Sequence, residues 1–234
     1  MTYEQQLRWQ NNTQSVSIWA KKTHARVERT IARTFGRVGL TMLVAAAVAY
    51  LTASGLLSIP YSSSGAMIAW IASLAMIFGM NKIAQKVSYP VLGWFLMLFG
   101  ALQGFGLTGI LYAYSIDAIY QAFMWAWVMF AVLSVVWYYT KIDITKRGPI
   151  LFWSMIAWFI TMLLNMFLIG NGSLNVRMSL IGIVIFAGYI VYDMNILTQK
   201  AESMDKKIEI LIALWLFISF MNIFQMLLSL MWRD

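Results

Sequence analysis

An all-α membrane protein with seven transmembrane helices follows from three features of this sequence. First, 61% of its 234 residues are hydrophobic and only 11% are charged. A soluble domain is nearer ~45–50% apolar and ~25% charged, and a soluble core of this size has no room for the excess. Second, the apolar residues fall in long unbroken runs, not in the ~10-residue alternating segments of a transmembrane β-barrel. Third, the basic residues segregate to every second connection between the runs, as they do in cytoplasmic loops. The expected organisation is a basic polar lead, residues 1–37, followed by one membrane domain, 38–234.

The lead contains Arg8, Lys21, Lys22, Arg26, Arg29, Arg33 and Arg37, with Trp9, Ile18 and Trp19 between them. It reads either as an interfacial helix on anionic lipid or as a partly ordered cytoplasmic tail. It contains no apolar h-region of the kind a cleavable signal peptide carries. The first span, about 38–59, is stopped by Pro60 and the serine turn Ser62-Ser63-Ser64. The second, about 65–80, is short. The third, about 90–108, holds Gly93, Gly100, Gly104 and Gly106, and the Gly100/Gly104 spacing permits close helix approach. The fourth, about 119–139, ends in Trp137-Tyr138-Tyr139, a cluster suited to the headgroup level. The fifth, about 148–169, carries Pro149 in its first turn, where proline is tolerated. The sixth is about 178–199 and the seventh about 208–231. At ~1.5 Å per residue each reaches most or all of a ~30 Å hydrocarbon core, the second being the marginal case.

Orientation follows from the basic residues. Fifteen of the 17 Lys and Arg fall on one side: the seven of the lead, Lys82 and Lys86, then Lys141, Lys146 and Arg147, then Lys200, Lys206 and Lys207. The other side has Arg177 and Arg233. This split places the N-terminus in the cytoplasm and, with an odd number of spans, the C-terminus outside. It also accounts for the net charge of +8 without nucleic acid as a partner. The lipid bilayer is the partner implied. The chain has no cysteine, which excludes disulfides, thiol chemistry and Cys metal sites. Short loops point to a bacterial inner membrane.

Most acids lie in tails, loops or span edges: Glu4, Glu28, Asp117, Asp143, Glu202, Asp205, Glu209 and Asp234. Asp193 alone sits well inside a span, in MSLIGIVIFAGYIVYDMNILTQ, ~6 residues or roughly 9 Å from the cytoplasmic end. A charge at membrane depth costs at least ~2.5–3.5 kcal/mol, so an intramembrane acid is a functional candidate by default. It reads as a proton or cation site or as a gate latch; the plainer reading is a buried carboxyl that only orients helices. Span seven offers polar partners at i, i+3, i+6 in Ser219, Asn222 and Gln225, roughly along one face. Asn165 in span five, Lys82 and Lys86 are further candidate partners. Interhelical hydrogen bonding would explain the polar stripe equally well.

Enzymatic readings find no support. An aspartyl intramembrane protease needs two embedded carboxylates, and His24, the one histidine, lies in the polar lead. No Cys/His/carboxylate cluster has metal-catalysis spacing, no Gly-rich phosphate loop opens a soluble helix, and no cofactor is implied.

Ser179 to Asn195, with Tyr192-Asp193 near its end, resembles the sixth span of the Bax inhibitor-1 family, the transmembrane Bax inhibitor motif proteins. Gly106-Leu107-Thr108 followed by Ala122-Phe123, Tyr139-Thr140-Lys141-Ile142-Asp143, and Leu216-Phe217-Ile218-Ser219-Phe220-Met221-Asn222 resemble its other motifs in the same order. The resemblance runs from about Gly65 to Met231. It implies a seven-helix bundle with the last helix near its centre. It also implies a pH-sensitive calcium leak channel, with Ca²⁺ or H⁺ as the transported or sensed ion, or a regulator of cell death or membrane-protein quality control. In bacterial members an aspartate pair on spans six and seven forms a proton-responsive latch. The first aspartate carries over to Asp193. The second position is Ser219, and the acid some members carry on span two is absent from Gly65–Met80.

Two carboxylates at hydrogen-bond distance share a proton because like charges resist joint ionisation; Asp193 opposite Ser219 lacks that coupling. One carboxylate is also a poor Ca²⁺ site, since Ca²⁺ takes ~6–8 oxygens. The expectation is therefore a family fold with a weakened proton and calcium latch, in a protein that is either a cation leak gated at Asp193 or a non-conducting regulatory or scaffold protein acting on other membrane proteins.

Overall fold

The structure is a computed structural model that describes residues 3–140, 144–199, 201 and 204–231. Lys141, Asp143, Lys200, Glu202, Arg233 and Asp234 lie outside the described residues, as do the side chains of Tyr138, Tyr139 and everything before Ala25, His24 included. Seven long helices make up the described chain: α1 (Tyr3–Ala53), α2 (Ser63–Ile83), α3 (Tyr89–Ala113), α4 (Ile116–Thr140), α5 (Gly148–Leu164), α6 (Gly172–Gln199) and α7 (Lys206–Met231). A 3₁₀ turn, Thr145–Arg147, leads into α5, and a π-helical turn, Asn165–Ile169, follows it. Seven stretches are long and apolar enough to cross a membrane.

Several helices exceed their expected spans for local reasons. The serine turn starts α2 instead of only ending the first span: Ser62 caps it, its Oγ accepting from the Gly65 N–H at 3.0 Å. That lengthens the short second span to 21 residues. Pro149 stands in the first turn of α5 as expected, where its missing N–H costs nothing. The boundary expected at residue 37 falls inside a helix, because α1 runs unbroken from Tyr3 to Ala53. Its stretch long and apolar enough to cross a membrane lies within Ala25–Ala53.

The helix expected at the centre is there. In the most apolar stretch of α7, 67% of residues are buried, against 44% or less in every other span. α7 packs against α6, α4, α1 and α3. Aromatic edge-to-face contacts seat it: Phe217 on Phe99 of α3, and Phe220 on Phe123 and Phe130 of α4. Such pairs contribute ~0.5–1.5 kcal/mol each beyond their area. Outward-facing side chains such as Trp94, Leu168 and Val184 are exposed, as a lipid-facing surface requires.

α1 and α3 make the most intimate pair in the bundle. Gly100 faces Thr41 and Gly104 faces the backbone of Ala45, so the Gly100/Gly104 spacing lets the two backbones meet directly. A methyl group at Gly104 would collide with the Ala45 carbonyl, whereas Gly93 has open space beside it. Gly104→Ala is therefore expected to lower stability by about 1–3 kcal/mol through overpacking. Gly93→Ala should be neutral or mildly stabilising, as alanine is the better helix former. Unfolding of the two variants in detergent, followed by circular dichroism, checks the contrast.

Candidate functional site

One end of the bundle carries the membrane-side start of α1 and the α2–α3, α4–α5 and α6–α7 connections; this is the basic end. α6 and α7 are joined by residues 200–205 and pack along each other, so they run antiparallel. Their register is set by Tyr189 stacking on Trp215, with ring centroids 6.3 Å apart, and by Gly182 lying against Met226.

Asp193, one turn after Tyr189 on the same face of α6, is 4% exposed. Its Oδ2 is buried with no hydrogen-bond partner. Ser219 is buried on α7. The two residues therefore belong to the same helix pair, but no hydrogen bond joins them. By the register above, Ser219 stands one to two turns farther from the basic end than Asp193, roughly 6–12 Å at 1.5 Å per residue. Lys82 and Lys86 are exposed at the end of α2 and beyond it. Among the described residues neither forms an ion pair with Asp193; both recorded ion pairs belong to Glu209.

The other candidates cluster at the opposite end. A cavity of about 580 Å³ opens there between α5, α6 and α7, lined by Asn165, Asn175, Ser179, Asn222, Gln225 and Ser229 among others. Asn165 is a structural knot: its Nδ2 donates to the Asn171 carbonyl (3.1 Å) and to Asn175 Oδ1 (2.5 Å), and its Oδ1 accepts from the Asn171 N–H (3.0 Å). It thereby closes the connection from the π-helical turn into α6, whose first turn Asn171 Oδ1 caps through Ser173 and Leu174. Asn222 Nδ2 donates to the Ile218 carbonyl of its own helix at 2.8 Å, which leaves its carbonyl oxygen to the cavity. The polar stripe thus divides. Asn222 and Gln225 line the cavity, while Ser219 lies beneath it in the packed interior. The chemistry offered is neutral amide and hydroxyl groups, which coordinate or hydrogen-bond without supplying charge.

A second acid stands out at the basic end. Glu209, in the first turn of α7 and 2% exposed, receives Arg33 Nη2 on Oε1 at 2.6 Å. Its Oε2 accepts from Arg33 Nε at 3.1 Å and Arg37 Nη1 at 3.0 Å. Arg37 also donates to the Tyr89 hydroxyl and lies over the Tyr89 ring, and Arg33 Nη2 reaches Thr30 Oγ1 at 3.2 Å. The cluster ties α1, α3 and α7 together. In the sequence Glu209 stands at a span edge and both arginines in the basic polar lead. The signal that could have joined them is the i, i+4 spacing of Arg33 and Arg37, which sets two cations on one helical face.

From the basic end inward the interior therefore presents Glu209 with both oxygens engaged, then Asp193 with an oxygen unengaged. A packed aromatic and aliphatic layer that includes Phe186, Tyr189 and Trp215 follows, and then the polar cavity. Removing one partner of a buried ion pair leaves the other unpaired and costs about 3–5 kcal/mol. Glu209→Gln is expected to destabilise the protein by an amount in that range. Arg33→Gln should cost less, because the Arg33 side chain is 43% exposed and water can replace the lost contact. Thermal unfolding of both variants in detergent gives the comparison.

A family model described as "Inhibitor of apoptosis-promoting Bax1" matches residues 27–233. The chain is 30% identical over 221 residues to an uncharacterized protein of Deinococcus radiodurans, covering 92% of this chain and 95% of that protein. It is 29% identical over 214 residues to the inner membrane protein YbhL of Escherichia coli K12, covering 87% and 91%. An uncharacterized membrane protein of Streptococcus pyogenes serotype M1 is likewise 29% identical, over 84% of this chain and 87% of its own length.

Proposed function

The chain belongs to the Bax inhibitor-1 family, and on that premise we propose that it is a cation leak pathway of a bacterial inner membrane in which Asp193 is the gating carboxylate. The observation that carries this reading is the buried Asp193 oxygen without a partner, set between the central helix and α6. A carboxylate retained inside a membrane bundle with no cation and no hydrogen bond to hold it among the described residues is a costly feature for architecture alone. A site that exchanges a proton or a passing cation needs such an open valence. The polar cavity on the far side of the aromatic layer gives an ion an aqueous approach to within a few turns of Asp193.

On this reading the arrangement is a closed state. The layer around Phe186, Tyr189 and Trp215 separates the cavity from Asp193, and conduction needs α6 to shift relative to α7. The basic end faces the cytoplasm, in line with the positive-inside rule, and the inner-membrane placement of YbhL supports the same membrane here. Calcium is the transported ion that the family resemblance favours. With Ser219 in place of a second aspartate, proton sharing between two carboxylates is unavailable, so the pH response is shallow.

Calcium flux into dye-loaded proteoliposomes tests the proposal. The wild type is expected to conduct above empty vesicles, with little change between mildly acidic and neutral pH. Asp193→Asn should change the rate by at least about fivefold, the equivalent of roughly 1 kcal/mol on the gate, with the helical content unchanged. A steep acid-side pH response abolished by Asp193→Asn would overturn the shallow-response part. Silence of the wild type in vesicles, with co-purification of another membrane protein, would favour the non-conducting regulatory reading instead.

A further inference from the structure

A second cavity, of about 370 Å³, lies at the basic end between the membrane-side start of α1 and the residues leading into α7. Its charged lining is Arg26, Arg29, Arg33, Lys206 and Glu209. Arg26, Arg29 and Arg33 follow at i, i+3 and i+7, so one face of α1 presents all three. Lys206 opens α7 on the other wall. Four cations thus surround one acid, and that acid is already held by Arg33 and by Arg37 behind it.

Arg33 is the hinge of the arrangement. Its Nε and Nη2 are engaged by Glu209 and Thr30, while Nη1 has no partner among the described residues. Its side chain is 43% exposed. One edge of the guanidinium is therefore fixed by the buried carboxylate and the other is presented to the cavity. Thr30, whose hydroxyl already accepts from Arg33, completes the lining with Ala25, Ala201 and Met204. Among the described lining residues the site therefore supplies oriented donors, and its one acid, Glu209, is already engaged by arginines.

We propose that this cavity binds a phosphate group, with the headgroup of an anionic phospholipid and free inorganic phosphate as its two sources. Forked arginine donors match phosphate oxygens, and a basic pocket between membrane helices at the headgroup level is suited to anionic lipid. The level follows from Lys206 and Glu209, which stand in the first turn of the membrane-crossing stretch Lys206–Met231. The site is separate from Asp193 and does not depend on whether the protein conducts.

Native mass spectrometry of the full-length protein in detergent tests this, with phosphatidylglycerol, phosphatidylcholine or inorganic phosphate added. Arg29→Gln/Lys206→Gln removes two exposed cations of the cavity and leaves the Glu209 cluster intact. Lys82→Gln/Lys86→Gln removes the same charge elsewhere at the same end. The wild type should bind phosphatidylglycerol in preference to phosphatidylcholine. The cavity variant should bind it about 30-fold more weakly, as expected for two lost cations near the headgroups, and the control should bind it like the wild type. Phosphate binding to the wild type and the control, lost in the cavity variant, would support the site with the free ion as its source. The single variants Arg29→Gln and Lys206→Gln, each checked for an unchanged unfolding temperature, repeat the comparison with less perturbation. Equal weakening in the cavity and control variants would overturn the proposal. So would a wild type that binds neither phosphatidylglycerol above phosphatidylcholine nor phosphate.

Discussion

The central helix can begin inside the bundle because Glu209 meets two arginines there. α7 is the most buried helix of the fold, yet its first turn carries a carboxylate that is 2% exposed. Left unpaired, that charge would be too costly to bury. Arg33 and Arg37 neutralise it from α1, and Arg37 passes the connection on to Tyr89 of α3. Three helices are thereby fixed in register at one end. The Gly100 and Gly104 contacts of α3 with α1 continue that register toward the other. Because directional charge pairs fix the relative height of the helices, the aromatic contacts along α7 need only supply packing.

Asp193 shows what a buried carboxylate looks like without such provision. It lies in the same interior, within about two turns of Glu209 across the α6–α7 interface, and one of its oxygens has no partner. Glu209 can be understood entirely as architecture, since every part of its charge is accounted for by neighbours that hold helices together. Asp193 contributes no such bond. The contrast between two acids in one fold, under one set of solvation costs, makes the functional reading of Asp193 stronger than burial alone would.

The sequence disclosed the helix number, the central place of α7 and the close α1–α3 approach, because each has a one-dimensional signature: run length, family motif order and glycine spacing. Asp193 was legible for the same reason, as the single acid deep in an apolar run. The Glu209 cluster was not, because its members are 172 and 176 positions apart in the chain and each looks ordinary alone. A basic helix start reads as solvated until a partner helix is known to abut it. The polar stripe Ser219, Asn222 and Gln225 was visible as a pattern. Its division between packed interior and open cavity depends on where α5 ends, and the Asn165 side chain determines that through contacts with the following turn.

The offset between Asp193 and Ser219 bears on the latch that the family resemblance implies for these two positions. A second carboxylate at position 219 would need to reach Asp193 along the α6–α7 interface to share a proton, which requires the helices to slide by one to two turns or to tilt. A serine has no charge to drive that movement and no proton affinity to reward it. On the proposed reading, a serine at this position gives α6 and α7 no electrostatic reason to occupy a second register, and leaves packing to decide between registers. Packing favours the observed one, with Tyr189 on Trp215 and Met226 against Gly182. On the proposed reading, what remains to bias the helix pair is the state of Asp193 itself, through the cost of keeping one charge where the described residues offer its Oδ2 no partner.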